Sequence, residues 1–247
     1  NIVTATRKEL DLTDQLKTFN FLKKKKIEKV IIASAKVGGI KANYSFPAEF
    51  IYNNLAIQNN LIHGSFINGI KDLVFLGSSC IYPKYANQPI NESSLLTSKL
   101  EKTNEAYAIA KIAGVKLCEY YNEQYKTNYK CLMPCNVYGP KDNYDLETSH
   151  FLAAILKKTY LAKKSGKKKI VLWGSGSPKR ELLFVNDLAH ACIFFLEKKT
   201  KHFLINIGSE IEYSIKQYAN MIKKIIKFKG DVIFDKIHPD GPPRKLL

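Results

Sequence analysis

The stretch that decides the fold covers residues 73–111. It opens with Leu-Val-Phe-Leu at 73–76, turns at Gly-Ser-Ser-Cys at 77–80, and closes with Tyr-Ala-Ile-Ala-Lys at 107–111. The apolar run predicts a buried strand that delivers hydroxyls and a thiol at its carboxyl end. The closing segment lies in a predicted helix, where residues four apart are neighbours on one face. The stretch therefore predicts a strand, a polar turn and a helix that together present reactive side chains.

Tyr107 and Lys111 form a proton-donating pair in this prediction. Free tyrosine has a pKa of about 10, and a cation close by stabilises the phenolate. We therefore expect Lys111 to lower the pKa of Tyr107, and Ser78 to hydrogen-bond the same substrate oxygen. The trio fits carbonyl reduction, in which a cofactor delivers hydride and the phenol supplies the proton. The Tyr-x-x-x-Lys spacing alone is common by chance, and the strand and polar turn upstream give it weight.

Apolar runs of strand length alternate with amphipathic segments on both sides of this stretch. Strands separated by helices are typical of a doubly wound parallel sheet. We predict an α/β, Rossmann-like fold with a smaller C-terminal substrate-binding region. The predicted strands are 2–5, 29–33, 73–76, 130–133, 170–173, 203–207 and 231–234. One predicted helix begins at residue 13, and the others cover 47–68, 105–125, 149–163, 187–198 and 214–226.

Length and composition limit the classes of protein that remain. The chain has 247 residues, 45% of them hydrophobic, which suffices for a packed core. No apolar run approaches the ~20 residues of a membrane span. The net charge is +17, but the lysines are scattered in short runs without a basic stripe interleaved with aromatic residues. We interpret them as a lysine-rich surface that in part attracts anionic ligands, and we expect neither a nucleic-acid nor a membrane partner.

The five cysteines favour a reducing compartment over a disulfide framework. Their number is odd, and Cys118, Cys131 and Cys192 lie in apolar surroundings typical of small core residues. Cys131 and Cys135 do not have the spacing usual for zinc or redox pairs, so we expect no metal site. A cytoplasmic setting fits this usage of cysteine.

Several blocks of sequence resemble the extended short-chain dehydrogenase/reductase family. They are Ala-Lys-Val-Gly-Gly-Ile at 35–40, Leu-Gly-Ser-Ser-Cys-Ile-Tyr-Pro at 76–83, Thr-Asn-Glu-Ala-Tyr-Ala-Ile-Ala-Lys-Ile-Ala-Gly at 103–114, Asn-Val-Tyr-Gly-Pro at 136–140, Trp-Gly-Ser-Gly at 173–176 and Asp-Gly-Pro-Pro-Arg-Lys-Leu-Leu at 240–247. The resemblance covers essentially the whole chain. It implies NADPH-dependent 3,5-epimerisation and 4-keto reduction of GDP-4-keto-6-deoxy-D-mannose to GDP-L-fucose. It also implies a homodimer that pairs through the helices preceding and carrying Tyr107.

The resemblance assigns catalytic roles to five residues. Ser78, Tyr107 and Lys111 are the carbonyl-reducing group, and Lys111 also holds the nicotinamide ribose. Cys80 follows Ser78 by two residues, so in extended backbone both side chains point to the same side. A thiol pKa of about 8.5 is easily moved by neighbours, which suits Cys80 to proton abstraction. His150, by its family position, is the acid partner of Cys80 in inverting C3 and C5.

Arg7 is the residue that favours NADP(H) over NAD(H). It follows the first predicted strand, where a dinucleotide fold meets the adenosine ribose, and an arginine there can pair with the 2′-phosphate of NADP. A solvated loop explains the same residues equally well, and the resemblance favours the cofactor. The resemblance places further cofactor contacts at Leu12, Leu76, Gly77, Ser78, Ser79, Lys111, Pro134, Cys135, Asn136, Val137 and His150, and substrate contacts at Lys158, Trp173, Arg180 and Asp240.

One feature of a dinucleotide fold is missing from the sequence. A glycine-rich turn should follow the first strand of such a fold. The closely spaced glycines of this chain, at 38–39 and 174–176, do not follow the first predicted strand. We therefore expect the first βα unit to be absent, and the natural full-length chain to carry such a turn before Asn1 and to continue beyond Leu247. We assign residues 1–140 to an NADP-binding domain, and 141–247 mainly to a region that binds the sugar nucleotide, with some segments returning to the sheet.

Other functions remain open at this point. Another NAD(P)-dependent nucleotide-sugar epimerase or dehydratase is one, although many of these carry threonine or an acidic residue where Cys80 stands. A basic RNA-binding derivative is a second, but it could dispense with Ser78, Tyr107 and Lys111, which are all present. An inactive fragment is a third.

Overall fold

The computed structural model describes residues 1–146, 148–198, 200–237 and 240–247, with the side chains of 40 and 41 left aside. A parallel four-stranded sheet with the order β1-β2-β3-β7 forms its centre. Leu73, Val74 and Phe75 on β2 have no exposed surface, as expected for a strand covered on both faces. The strands of this sheet are β1 (Lys29–Ile32), β2 (Asp72–Leu76), β3 (Asn128–Pro134) and β7 (Leu204–Ile207).

Helices cover both faces of this sheet. Leu73 and Phe75 of β2 belong to a core with α1 (Gln15–Lys24), α3 (Pro47–Ile67) and α4 (Glu105–Tyr125). Val74, between them, belongs to a core with α6 (Val185–Glu197). Successive side chains of a strand point to opposite faces, so the apolar run packs on helices above and below. This arrangement confirms the predicted Rossmann-like, doubly wound sheet.

The second half of the chain builds two smaller sheets and a core of its own. Ile155, Ala162, Leu172 and Ile222 pack together in that core. One sheet has the order β4-β6-β8, and β5 pairs with β9 in the other. The remaining elements are α2 (Ile40–Ser45), β4 (Asn136–Tyr138), α5 (Phe151–Lys164), β5 (Lys169–Trp173), β6 (Lys179–Phe184), β8 (Glu212–Ser214), α7 (Ile215–Ile226) and β9 (Asp231–Asp235).

The prediction of a strand at residues 2–5 is wrong. That segment has no strand assignment, and the side chain of Ile2 is 94% exposed. A strand requires a neighbour to exchange backbone hydrogen bonds with, and β1 pairs only with β2 in the described chain. The turn that follows is held by Glu9, whose carboxylate accepts hydrogen bonds from the backbone N–H and the hydroxyl of Thr6.

Helix boundaries agree closely with the sequence pattern. Asp14 caps α1 by accepting a hydrogen bond from the N–H of Lys17, and Pro47 occupies the first turn of α3. None of the helices in the described residues combines the length and the apolar character that a bilayer crossing requires.

Candidate active site

A cavity of about 1050 Å³ opens where the carboxyl ends of β2 and β3 face the second half of the chain. In open parallel sheets, ligands bind in the crevice beyond the carboxyl ends of the strands. Side chains from segments far apart in sequence line it, including Ser78, Tyr107, His150 and Trp173. The cavity is therefore the place where the predicted cofactor and substrate residues can meet.

The turn after β2 brings Ser78 and Cys80 to this cavity. Gly77 leaves no room for a side chain, because a Cβ there would run into Met133. Ser78 has extended backbone, and its hydroxyl oxygen accepts a hydrogen bond of 3.2 Å from the N–H of Cys80. The chain then enters a short 3₁₀ turn, Ser79–Ile81. The alternation argument for Ser78 and Cys80 is therefore wrong, since the turn and not an extended strand directs both to the cavity.

Tyr107 and Lys111 lie on successive turns of α4. Tyr107 lines the cavity, whereas Lys111 is not among the lining residues and is 3% exposed. The Nζ atom of Lys111 donates a hydrogen bond of 2.8 Å to the carbonyl of Leu76 and lies 4.6 Å from the centre of the Phe75 ring. It lies 5.9 Å from the centre of the Tyr107 ring. Lys111 thus ties the helix to the end of β2.

The expected lowering of the Tyr107 pKa by Lys111 is not found. Burial raises the pKa of the Tyr107 phenol, the nearby Cys80 adds to this, and the hydroxyl of Ser78 opposes it only partly. Burial also lowers the pKa of the Lys111 ammonium to about 8. Desolvation disfavours the charged form of both groups and is the largest cause of both shifts. Tyr107 therefore stays a phenol at neutral pH and keeps a proton to donate.

Cys80 lies between two nitrogen donors. The Nδ2 atom of Asn104 is 3.2 Å from its sulfur, and the Nζ atom of Lys245 is 3.3 Å away. Burial by itself raises the pKa of the Cys80 thiol. The charge of Lys245, hydrogen bonds with Ser78 and Lys245, and the charge of Arg180 together outweigh burial, so the pKa is lowered. These surroundings favour the thiolate, which is the reactive form of cysteine.

His150 is the N-cap residue of α5, and its imidazole is open to the same cavity as Cys80. The surrounding protein lowers the pKa of the imidazole below its ordinary value, and Asp142 opposes this effect while Lys245 reinforces it. An imidazolium in this place gives up its proton readily. The cavity therefore contains a thiol and an imidazole as well as a phenol.

The four predicted substrate residues line another part of the cavity. The Nζ atom of Lys158 lies 5.9 Å from the centre of the Trp173 ring. Asp240 accepts hydrogen bonds from the N–H of Ser175 at 2.9 Å and from its hydroxyl at 2.6 Å. Burial lowers the pKa of Arg180, which faces Cys80 and Asp240. This part of the cavity offers cations and an aromatic face, as a nucleoside diphosphate requires.

The predicted cofactor residues fall into two groups. Leu76 and Lys111 are joined by a hydrogen bond at the end of β2, Arg7 is exposed in the turn before α1, and Leu12 packs against the main core. None of these four lines the cavity in the described chain. The residues that do line it are Gly77, Ser78, Ser79, Pro134, Cys135, Asn136, Val137 and His150.

The lining residues fit the nicotinamide half of a dinucleotide. Pro134 and Val137 give an apolar wall, and the hydroxyls of Ser78 and Tyr107 lie at the same cavity. The absence of a side chain at Gly77 lets the turn pack directly on Met133. A flat ring that must expose one face to a carbonyl can rest against such a wall.

Two residues at Cys80 were not identified from the sequence. Asn104 and Lys245 are 24 and 165 residues away from it along the chain. Both belong to blocks that carry the family resemblance, at 103–114 and 240–247. Their place in these blocks was the one sign in the sequence that they belong to the site. The sequence alone does not show which side chain a lysine contacts.

Comparisons with known proteins identify relatives that match the whole chain. A GDP-L-fucose synthase from Sinorhizobium fredii is 50% identical over 246 residues, covering 100% of this chain and 78% of the relative. A GDP-L-fucose synthase from Escherichia coli is 47% identical over 255 residues, covering 100% and 79%. The solved structure of a GDP-mannoheptose C4 reductase from Campylobacter jejuni with NADP bound is 38% identical, with a TM-score of 0.89, and covers 100% of this chain and 81% of that one.

The family profile described as the NAD dependent epimerase/dehydratase family matches residues 1–208. That range includes the parallel sheet, the turn at Ser78, and α4 with Tyr107 and Lys111. The match and the relatives confirm the resemblance seen in the sequence motifs. The chain belongs to the NAD dependent epimerase/dehydratase family.

Proposed function

We propose that this chain is an enzyme that converts GDP-4-keto-6-deoxy-D-mannose to GDP-L-fucose, by 3,5-epimerisation and NADPH-dependent reduction of the 4-keto group. One observation carries the proposal: a single cavity presents both a carbonyl-reducing group and a thiol–imidazole pair. Relatives at 50 and 47% identity over the whole chain are named for this product, and a similar structure contains NADP. Family members without a thiol where Cys80 stands would lack the epimerising pair.

The epimerisation uses the acidity of the two carbons beside the ketone. The thiolate of Cys80 takes a proton from C3 or C5, so a C–H bond breaks, an S–H bond forms, and the electron pair moves to the ketone oxygen as an enolate. The imidazolium of His150 then gives a proton to the opposite face of the same carbon. Hydroxyls of Ser78 and Tyr107 stabilise the negative oxygen by hydrogen bonds. Proton exchange with water resets the pair.

The reduction uses the same oxygen. NADPH, when bound, supplies a hydride to C4. Tyr107 donates its phenolic proton to the oxygen as negative charge develops there, and Ser78 keeps the carbonyl in line. Lys111 holds α4 against Leu76 and places an ammonium 5.9 Å from the centre of the Tyr107 ring. Both steps require one polarised carbonyl, and this requirement explains why they share a cavity.

The nucleotide end of the substrate occupies the cationic part of the cavity. Lys158 and Arg180 pair with the diphosphate, Lys158 as a point charge and Arg180 as a planar fork. Trp173, which is 54% exposed, stacks on the guanine. Asp240, held by Ser175, fixes the loop that closes this end.

We assign NADP(H) to residues 1–140 and the sugar nucleotide mainly to 141–247, with β7 from the second region completing the main sheet. Arg7 would meet the 2′-phosphate and Leu12 the adenosine, both outside the described cavity. Calorimetric titration of the full-length protein with NADPH and NADH tests this assignment. Equal affinity for both would contradict a role of Arg7 in selecting the phosphate.

The enzyme acts as a cytoplasmic homodimer in this proposal. The cysteines are all free, which suits a reducing compartment. The outer sides of α3 and α4 expose large apolar residues suited to a four-helix contact, namely Tyr52, Ile67, Ile109 and Tyr120. The mass of the full-length protein by light scattering tests the dimer, and a monomer at micromolar concentration would contradict it.

Replacing Cys80 separates the two reactions. In Cys80→Ser we expect deuterium uptake at C3 and C5 from D₂O to fall by roughly 10²-fold or more, because the hydroxyl is a far weaker base at neutral pH. Reduction of the unepimerised ketone should stay within about tenfold of the natural protein, because Ser78 and Tyr107 are untouched. Equal loss of exchange and reduction would contradict the division of roles.

A further inference from the structure

Residues 240–247, which we call the strap, form a segment without regular secondary structure that lines one side of the cavity. Both backbone polar groups of Leu246 are hydrogen-bonded. Its N–H donates to the side-chain oxygen of Gln88 at 2.8 Å, and its carbonyl accepts from the N–H of Ile90 at 2.8 Å. The N–H of Leu247 donates to the fully buried carboxylate of Glu181 at 3.0 Å. The strap is thus anchored immediately after Lys245.

The strap is also anchored before Lys245. The guanidinium of Arg244 forms a salt bridge with Glu212, with 2.8 Å between Nη2 and the carboxylate oxygen. Asp240 is held by the hydroxyl and N–H of Ser175. Anchors on both sides leave the side chain of Lys245 directed towards Cys80, with 3.3 Å between Nζ and Sγ. A backbone held in this way limits where the ammonium of Lys245 can lie.

We propose that Lys245 is a positioning residue that keeps Cys80 as a thiolate aimed at the substrate, and this inference rests on the proposed epimerisation. A thiol that loses its proton to water gains a negative charge, and the ammonium at 3.3 Å stabilises that charge. Asn104 fixes the sulfur from a second direction at 3.2 Å. The thiolate can then accept the substrate proton directly.

The same ammonium acts on the other member of the pair. Lys245 and His150 line one cavity, and a positive charge there makes the imidazolium a stronger acid. One lysine therefore favours proton removal by Cys80 and proton return by His150. This arrangement assigns Lys245 to the epimerisation and not to the reduction.

Other charged groups near Cys80 do not replace Lys245. Arg180 faces the sulfur from β6, and Tyr107 faces it from α4 without a charge at neutral pH. Lys84 and Glu101 line a smaller pocket beside Cys80 and pair with each other at 3.0 Å. Arg244 is paired with Glu212. In the part of the chain that the structure describes, Lys245 is the cation whose nitrogen lies within hydrogen-bond distance of the sulfur.

The first test measures the ionisation of Cys80 without any substrate. The rate of alkylation by iodoacetamide is followed against pH in the full-length protein, with Cys80→Ser as the background for the four buried cysteines. In Lys245→Gln we expect the pKa of the thiol to rise by roughly one unit, with alkylation at pH 7 slowed about tenfold. Lys245→Arg should retain the lower pKa. The control is Lys167→Gln, which removes the charge of an exposed lysine that neither anchors the strap nor lines the cavity, and it should leave the pKa unchanged.

The second test follows the two partial reactions. Lys245→Gln should slow deuterium uptake at C3 and C5 about tenfold at pH 7 and recover as the pH rises, while ketone reduction stays within a factor of about two. Lys245→Arg should restore most of the uptake. An unchanged thiol pKa in Lys245→Gln, or the same shift in Lys167→Gln, would overturn the proposal. Because alkylation needs no substrate, it decides the role of Lys245 even if the natural protein shows no exchange.

Discussion

In the proposed reduction, Tyr107 keeps the proton that it donates because its phenol is buried, and not because a lysine lies nearby. Desolvation raises the pKa of its phenol, and the hydroxyl of Ser78 opposes the change only partly. A phenol that stays protonated can release its proton only when negative charge appears on an oxygen within reach. The substrate oxygen provides that charge during reduction, so the residue is matched to the transition state and not to the ground state.

Removing the phenolic hydroxyl of Tyr107 should suppress reduction and spare epimerisation, whereas Cys80→Ser should do the reverse. In Tyr107→Phe we expect reduction, followed as NADPH oxidation, to fall by roughly 10²- to 10⁴-fold. Deuterium uptake at C3 and C5 should persist within about tenfold, because Ser78 still holds the oxygen. Loss of uptake to the same extent would show that the phenol is needed to form the enolate.

The burial of the Lys111 ammonium lowers the free energy of unfolding at neutral pH. Its pKa falls from 10.5 to about 8 in the folded protein, so between these pH values the unfolded chain binds more protons than the folded chain. The free energy of unfolding therefore rises with pH across that window. At pH 7, where both states are protonated, burying the ammonium costs roughly 3 kcal/mol.

Lys111→Met should remove that cost while abolishing the cation beside Tyr107. It loses the hydrogen bond to Leu76, which is worth about 1 kcal/mol. We expect a net gain of about 2 kcal/mol in the free energy of unfolding at pH 7, measured by urea denaturation without cofactor, and a smaller gain at pH 10. Lys116→Met, on the same helix but paired with Glu119, is the control and should show no such pH dependence. A variant less stable than the natural protein at pH 7 would contradict this account.

The position of Tyr107 and Lys111 depends on how closely α4 approaches β2. At Gly114, one turn of helix beyond Lys111, an added Cβ would lie 2.6 Å from the ring of Phe75 and 2.9 Å from the side chain of Gln58. Gln58 in turn donates a hydrogen bond to the carbonyl of Ala110 on the same helix. The helix is therefore pressed onto the strand, and this contact holds the reactive side chains at the strand's carboxyl end.

Gly114→Ala should move α4 outward. The overlap costs about 1–3 kcal/mol, and the better helix propensity of alanine returns up to about 1 kcal/mol. We expect a net loss of about 1 kcal/mol in unfolding free energy and a larger relative loss of reduction than of NADPH affinity. Glu123→Ala, on the exposed side of the same helix, is the control and should be nearly neutral. A stabilised Gly114→Ala with full activity would show that the helix can shift without cost.

The elements of the main sheet were predictable because each has a local signal. The buried run at Leu73, the capping residue Asp14 and the proline that opens α3 all act through their immediate neighbours in sequence. The strand predicted at residues 2–5 was wrong because a strand depends on a partner that composition does not reveal. The 3₁₀ turn that contains Cys80 was missed because it depends on the side-chain and backbone oxygens of Ser78, which accept hydrogen bonds from the N–H groups of Cys80 and Ile81. An apolar pattern does not report such bonds.

At the scale of the whole molecule, the cavity depends on contacts between distant parts of the chain. Family motifs supplied the identities of Ser78, Tyr107 and His150, and the structure brings them to one cavity. The contact between Lys245 and Cys80 spans 165 residues. The pKa of Tyr107 was predicted with the wrong sign, because the burial of a side chain follows from the fold and not from the spacing of two residues.

The measurement that tests the central claim most directly is product analysis by NMR. The full-length protein is given GDP-4-keto-6-deoxy-D-mannose and NADPH in D₂O. One cavity with both chemistries predicts GDP-L-fucose that carries deuterium at C3 and C5 and hydrogen from NADPH at C4. A reduced 6-deoxyhexose that keeps the manno configuration at C3 and C5 and contains no deuterium there would identify a simple C4 reductase and contradict the account.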